Sequence, residues 1–187
     1  MKNVEEKPLN NSRSKYIVDS MFGTLARKLR ILGFDTYYDS NLEDQDVIRI
    51  GIEQDRTIIT ADKELFSRTV NKKIPAILLT SRNDLHNVGS ILRRTLKDVR
   101  FNQMLARCSK CNGELKERPK ETIRSKVKDG VFQNYECFFE CNDCLKVYWM
   151  GTHIAEIKLW VQKLNDIMRS TSHDSTADKQ KQKSKFS

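Results

Sequence analysis

A short β-favouring run that closes on an aspartate and opens at once into helical periodicity sets the frame for this chain. Tyr16-Ile17-Val18 is that run and Asp19 ends it. Leu25, Leu29 and Leu32 then recur at helical spacing, with Arg27, Lys28 and Arg30 between them and Gly33 as the stop. The unit repeats. Residues 35–39 (Asp-Thr-Tyr-Tyr-Asp) read as a second strand, followed by a helix from Asp44 to Gln54 with Val47, Ile48 and Ile52 on its inner side. Thr57-Ile58-Ile59-Thr60 is apolar enough for a central parallel strand, and behind it come Ala61-Asp62 and a helix opening at Leu65-Phe66. Residues 74–79 read as a fourth strand, and an amphipathic helix is expected from Asp84 to about Val99. Such alternation over residues 16–100 predicts an α/β fold, a doubly wound parallel sheet with right-handed crossovers. Ligands of these sheets bind beyond the carboxyl ends of the strands, where Asp19, Asp39 and Asp62 would stand.

Carboxylates gathered at one sheet edge repel one another unless a cation neutralises them. Mg²⁺ or Mn²⁺, hard and oxygen-seeking, suits such a set. Asp44, which opens a helix at the same edge, joins Asp19 and Asp62 as a candidate ligand. Taken singly, an acid at such a place has an ordinary role as a helix cap or turn residue, and for Asp44 and Asp84 alone that role is the stronger reading. Recurrence at successive strand ends is what points to a shared ion.

Beyond Met104 the texture changes. Five cysteines lie between 108 and 144 and none elsewhere. Cys108-x-x-Cys111 and Cys141-x-x-Cys144 form two pairs, each able to supply one edge of a thiolate tetrahedron around Zn²⁺. The 29 residues between the pairs widen the loop without changing that geometry. Asn112-Gly113 offers the tight turn a metal knuckle requires. A closed four-thiolate site is structural rather than catalytic. Cys137 is left over and is expected to pack as a small apolar residue, and His153 to be structural. A closing helix is expected over Ile154 to Met168, which makes 101–168 a zinc ribbon with its helix. Residues 1–15 and 169–187 are expected to be disordered.

The formal net charge is +9, and between Lys97 and Lys128 ten Lys and Arg face four acids, a local excess of +6. Such a balance favours a polyanionic partner. Mean hydropathy is −0.63, and no apolar run approaches the roughly 20 residues of a membrane span. Residues 1–15 are polar and lack a secretory apolar segment, so a cytoplasmic location is expected.

In this order the motifs resemble a known family. Val18-Asp19, the helix Gly23-x-Leu25-Ala26-Arg27-x-Leu29-Arg30-x-Leu32-Gly33, Tyr38-Asp39, the stretch from Asp44 to Thr60 and Thr60-Ala61-Asp62-Lys63-Glu64-Leu65 are similar to the PIN-like ribonuclease domain named after the C-terminal part of the Mut-seven exonuclease. Residues 107–113, 141–144 and 148–153 look like that family's C-terminal zinc ribbon. The resemblance implies metal-dependent cleavage of RNA by an endoribonuclease. Asp19, Asp44 and Asp62 would be the Mg²⁺ or Mn²⁺ ligands and Glu64 a further candidate. Asp39 is left as either a ligand or a loop-holding residue, and Arg27 and Arg30 as either phosphate contacts or solvated surface. Tyr148 and Trp149 are either stacking platforms for the strand or ribbon core. The ribbon is expected to assist RNA binding or to contact a protein or the ribosome. The alternative is a non-catalytic RNA- or ribosome-binding adaptor on the same fold.

Overall fold

The computed structural model describes residues 14–96 and 98–183, with side chains through 170. The disorder expected for residues 1–13 and 184–187 lies outside the described residues. Strand β1 (Tyr16–Val18) leads through a 3-10 turn (Ser20–Phe22) into α1 (Gly23–Ile31) and β2 (Thr36–Tyr37). Then follow α2 (Asp44–Glu53), β3 (Thr57–Thr60), α3 (Lys63–Asn71), β4 (Ala76–Leu78) and α4 (Asp84–Leu92). The four strands form one parallel sheet in the order β2-β1-β3-β4, with Tyr16 opposite both Thr36 and Thr57.

Alternation along the strands explains the layering. Tyr16, Val18 and Ile59 point to one face, where they pack with Leu25, Leu29, Val88 and Ile91 of α1 and α4. Ile17 and Ile58 point to the other, against Val47, Ile48 and Ile50 of α2 and Leu65 of α3. Each fully buried Leu or Ile contributes on the order of 2 kcal/mol. Gly51 lies so close to the sheet that a Cβ there would meet Ile58 Cδ1 at 3.0 Å. That approach centres the inner arc of α2 on Val47 and Gly51. Ile52, one position on and about 100° further round, is turned outward and 58% exposed, against expectation.

The helix from Asp84 is also shorter than expected, ending at Leu92 rather than Val99. After a closing turn on the Leu92 carbonyl, the chain swings away so that Val99 exchanges two hydrogen bonds with the Asn165 side chain, at 2.8 and 2.9 Å. Asn165 belongs to α7 (His153–Lys183), which packs on α4 where Gly89 leaves room for Leu164, Ile167 and Met168. This helix runs past Met168 through 169–183, a stretch expected to be disordered. No described helix is long and apolar enough to cross a membrane.

Between α4 and α7 lies a small antiparallel ribbon, β5 (Leu115–Arg118), β6 (Phe138–Cys141) and β7 (Val147–Trp149), in the order β5-β6-β7. Its long connection, read from sequence as loop, carries α5 (Lys120–Ile123) and α6 (Asp129–Asn134). The side chains of Ile123 and Phe138 are fully buried.

Candidate active-site rim and cysteine centre

The carboxyl ends of β1 and β3 lie side by side, and the chain leaves them toward opposite faces, β1 into α1 and β3 into α3. That divergence opens the crevice in which doubly wound sheets bind ligands. Half-buried Asp19 stands in it, oriented by Thr60. The buried Thr60 hydroxyl donates to Asp19 Oδ2 at 2.7 Å and accepts the Asp62 N–H at 2.9 Å. Tyr38 braces the same turn by donating its hydroxyl to the Ser20 carbonyl at 2.9 Å. Asp62 caps α3, its Oδ1 accepting from the N–H groups of Glu64 and Leu65 at 2.6 and 3.0 Å. Glu64 itself is exposed.

The other acids have their own partners. Asp44 Oδ2 accepts from Arg68 Nη1 of α3 at 2.9 Å, with both side chains half exposed. Asp39 Oδ1 accepts the Asn41 N–H at 2.9 Å and so holds its own loop. Asp84 pairs with Lys28 at 3.1 Å, while Asn83 caps α4. Asp19 and Asp62 are thus brought to one rim through Thr60. Among the described residues, however, no set of three acids is gathered closely enough to share an ion; the only such group of Cys, His, Asp or Glu is the four cysteines. Arg27 is exposed on α1.

Cys108, Cys111, Cys141 and Cys144 bring their sulfurs within 4.8 Å of one another. Two of the separations are 3.6 Å (Cys108–Cys144) and 3.4 Å (Cys111–Cys141). A tetrahedron with Zn–S of about 2.3 Å has edges of about 3.8 Å, so donor set and spacing both fit zinc. The two knuckles are built alike. Cys108 N–H donates to the Gly113 carbonyl and Asn112 N–H to the Cys108 carbonyl; Cys141 and Leu145 repeat the pattern with Lys146 and Cys141. Asn112 (φ 73°) and Leu145 (φ 57°) each take the left-handed conformation after the second cysteine. Burial pushes the Cys108 thiol up, but hydrogen bonds from Tyr148 and from the backbone N–H groups of Cys111 and Lys110 outweigh it and bring it down to about 6. Burial and the neighbouring sulfurs hold Cys111 up at about 12.

A family model, that of the Mut7-C RNAse domain, matches residues 14–162, from the first strand into α7. The chain belongs to that family. No curated protein and no solved structure matches it.

Within this Mut7-C chain Arg30 does not face a substrate. It is 3% exposed, and its Nε donates to the Thr36 carbonyl at 2.9 Å while Nη1 reaches the carbonyls of Ser109 and Lys110 at 3.2 and 3.1 Å. It ties α1 to the first knuckle. Tyr148 is likewise occupied, its hydroxyl within 3.1 Å of Cys108 Sγ and 3.2 Å of Ser109 Oγ. Burial and donation to Cys108 push its phenol up to about 12. Trp149 stays 38% exposed, its ring tilted against Tyr135 at 6.3 Å. Cys137 is exposed rather than packed; it stands one residue before β6, whose four residues from Phe138 are all buried. His153 is exposed and pairs with Glu156. Much of the basic character of the insert is internally matched: Lys120 pairs with Glu136, Arg124 with Asp129, and both Arg118 and Lys126 with the buried Glu140. Asn112, expected to supply the knuckle's turn, also reaches the sheet with its side chain, and Thr60, Arg68 and Tyr38 take part where the sequence assigned them no role of their own. Of these last three only Thr60, two positions before Asp62 in the Thr-Ala-Asp run, carried a local signal.

Proposed function

We propose that this Mut7-C chain is a metal-dependent endoribonuclease that hydrolyses RNA phosphodiester bonds at the carboxyl edge of its parallel sheet. The observation that carries the reading is the Asp19–Thr60–Asp62 hydrogen-bond chain at the point where the helices diverge. Asp19 and Asp62, with Asp44 and the further candidate Glu64, would hold Mg²⁺ or Mn²⁺, which their hard oxygens suit. Such an ion supplies Lewis-acid activation and neutralises charge on the phosphate under attack. Thr60 keeps Asp19 turned into the crevice, and Arg68 must yield Asp44 for that carboxylate to take part. The cysteine ribbon, with zinc as a structural ion, would assist in holding the strand through exposed Lys116, Lys128 and Trp149. A cytoplasmic location goes with this reading.

Full-length protein incubated with Mn²⁺ or Mg²⁺ and a panel of structured and single-stranded RNAs is the test, with Asp19→Asn beside it. Cleavage should fall on the order of a thousandfold or more in the variant, with folding and zinc content intact. Equal turnover in the variant defeats the assignment. The Asp44–Arg68 pair favours a second reading, a non-catalytic RNA- or ribosome-binding adaptor. RNA binding without cleavage by the wild type would select it.

A further inference from the structure

The parallel sheet is engaged at its amino edge as well, and there the partner is the first cysteine knuckle. Asn112, directly after Cys111, accepts the Thr36 N–H on Oδ1 at 2.9 Å and donates Nδ2 to Asp35 Oδ1 at 2.8 Å. Asp35 Oδ1 also takes Arg56 Nη1 at 2.7 Å, and the same Nη1 reaches the Tyr16 carbonyl at 3.1 Å. Three strands are therefore linked at their starts to one knuckle side chain: β2 through Thr36, β3 through Arg56 and β1 through Tyr16. Arg30 adds its two bonds to the Ser109 and Lys110 carbonyls, and its own carbonyl accepts the Arg107 N–H at 2.9 Å.

We infer that metal loading of the cysteine centre latches the amino edge of the nuclease sheet, so that zinc in the ribbon keeps the two-residue strand β2 in place. Asn112 reaches the sheet from a left-handed conformation, φ 73°, that the closed knuckle imposes. Without the ion, nothing ties the four sulfurs together across the two knuckles, and the Asn112 turn is left to its own backbone hydrogen bonds. Asn112 swings out, and Arg30, charged at any ordinary pH, stays buried with two of its three carbonyl acceptors lost. Leaving buried polar groups unpaired is costly, so the strain falls on α1 and β2 rather than stopping at the ribbon. The far end of β2 leads to the loop bearing Asp39 and on to Asp44 at the start of α2. The latch holds whether or not the rim cleaves RNA.

Hydrogen exchange on the full chain, zinc-loaded and after a zinc-selective chelator in excess Mg²⁺, tests it. Stripping zinc from the wild type should speed exchange of the Tyr16 and Thr36 amides about tenfold or more. Unchanged exchange at both overturns the latch, and this arm decides without any variant. Asn112→Gly keeps the left-handed turn but removes the amide. It should retain about one zinc per chain, exchange fast at Tyr16 even when loaded, and respond little to the chelator. A response as large as that of the wild type overturns the route through Asn112. Should that variant lose zinc, Asp35→Ala cuts the Asn112–Asp35–Arg56 branch from the sheet side while leaving the Thr36 bond, and its Tyr16 amide is read in the same way.

Discussion

The cysteine centre and the carboxylate rim are both built from groups that can hold a cation, yet they differ in how closely those groups are gathered. Four sulfurs converge within 4.8 Å, each pair held by a turn that closes on itself through backbone hydrogen bonds. The acids are spread along the opposite edge, and each has a protein partner: Thr60 for Asp19, the α3 N-terminus for Asp62, Arg68 for Asp44. The chemistry of the ligands accounts for the contrast. Thiols, whose ordinary pKa lies above neutrality, can crowd together without the mutual repulsion of full charges. A carboxylate near neutrality stays charged, so it is stabilised by a nearby N–H or guanidinium rather than by another acid. One set of donor atoms is gathered in place; the other would have to exchange partners to bind an ion.

The largest effect expected from this contrast is at the cysteines. Cys141→Ser should abolish zinc binding and unfold the ribbon, since structural zinc is worth on the order of 10 kcal/mol. Zinc stoichiometry and a thermal melt read it, and retention of tight zinc would break the comparison. Next is Thr60→Val, which leaves Asp19 and the Asp62 N–H without their shared partner. It should cost about 1–3 kcal/mol in denaturant unfolding and weaken Mn²⁺ binding, with Thr60→Ser restoring both. If Thr60→Val binds Mn²⁺ normally, the rim does not depend on the hydroxyl.

The amino edge adds a pH test. Although burial raises it, Asp35 lies below its ordinary value because Arg56 and Asn112 hydrogen-bond the charged form. A depressed folded pKa means that its stabilisation is present above the unfolded value of about 3.9 and is lost as pH falls through the folded one. Acid unfolding of Asp35→Asn should therefore show a weaker pH dependence in that range than the wild type. The smallest effect is that of Arg68→Ala. Its exposed pair with Asp44 is worth under about 0.5 kcal/mol, so stability should barely move while Mn²⁺ binds a few-fold tighter, about 2–3-fold at that energy. Weaker Mn²⁺ binding would show instead that Arg68 supports the site.

The strand–helix alternation was legible because alternation and helical spacing are local properties; the starts of β1, α2, β3 and α4 follow them. The departures arise where a neighbour decides. Ile52 has the right character for an inner position, but the close seat of Gly51 against Ile58 sets the angle of α2 and turns it out. The apolar spacing beyond Leu92 continues to Val99, yet the chain leaves the helix because Asn165 offers backbone partners. Arg30 lies near Arg27 and Lys28 on a basic stretch that left phosphate contact or solvated surface open, and only the knuckle packed over it makes it a buried clamp.

By itself the sequence determined the α/β order, the positions of Asp19 and Asp62 at strand ends, and the four cysteines that cluster. Each of these depends on spacing within a few residues, where backbone geometry leaves little choice. The tertiary structure alone decided that Thr60 joins Asp19 to Asp62, that Arg68 takes Asp44, and that Arg30 and Asn112 bind the ribbon to the sheet. Those contacts join residues far apart in the chain, Arg30 and Lys110 being 80 positions from each other. Their pairing follows from how the layers pack, which no local pattern encodes.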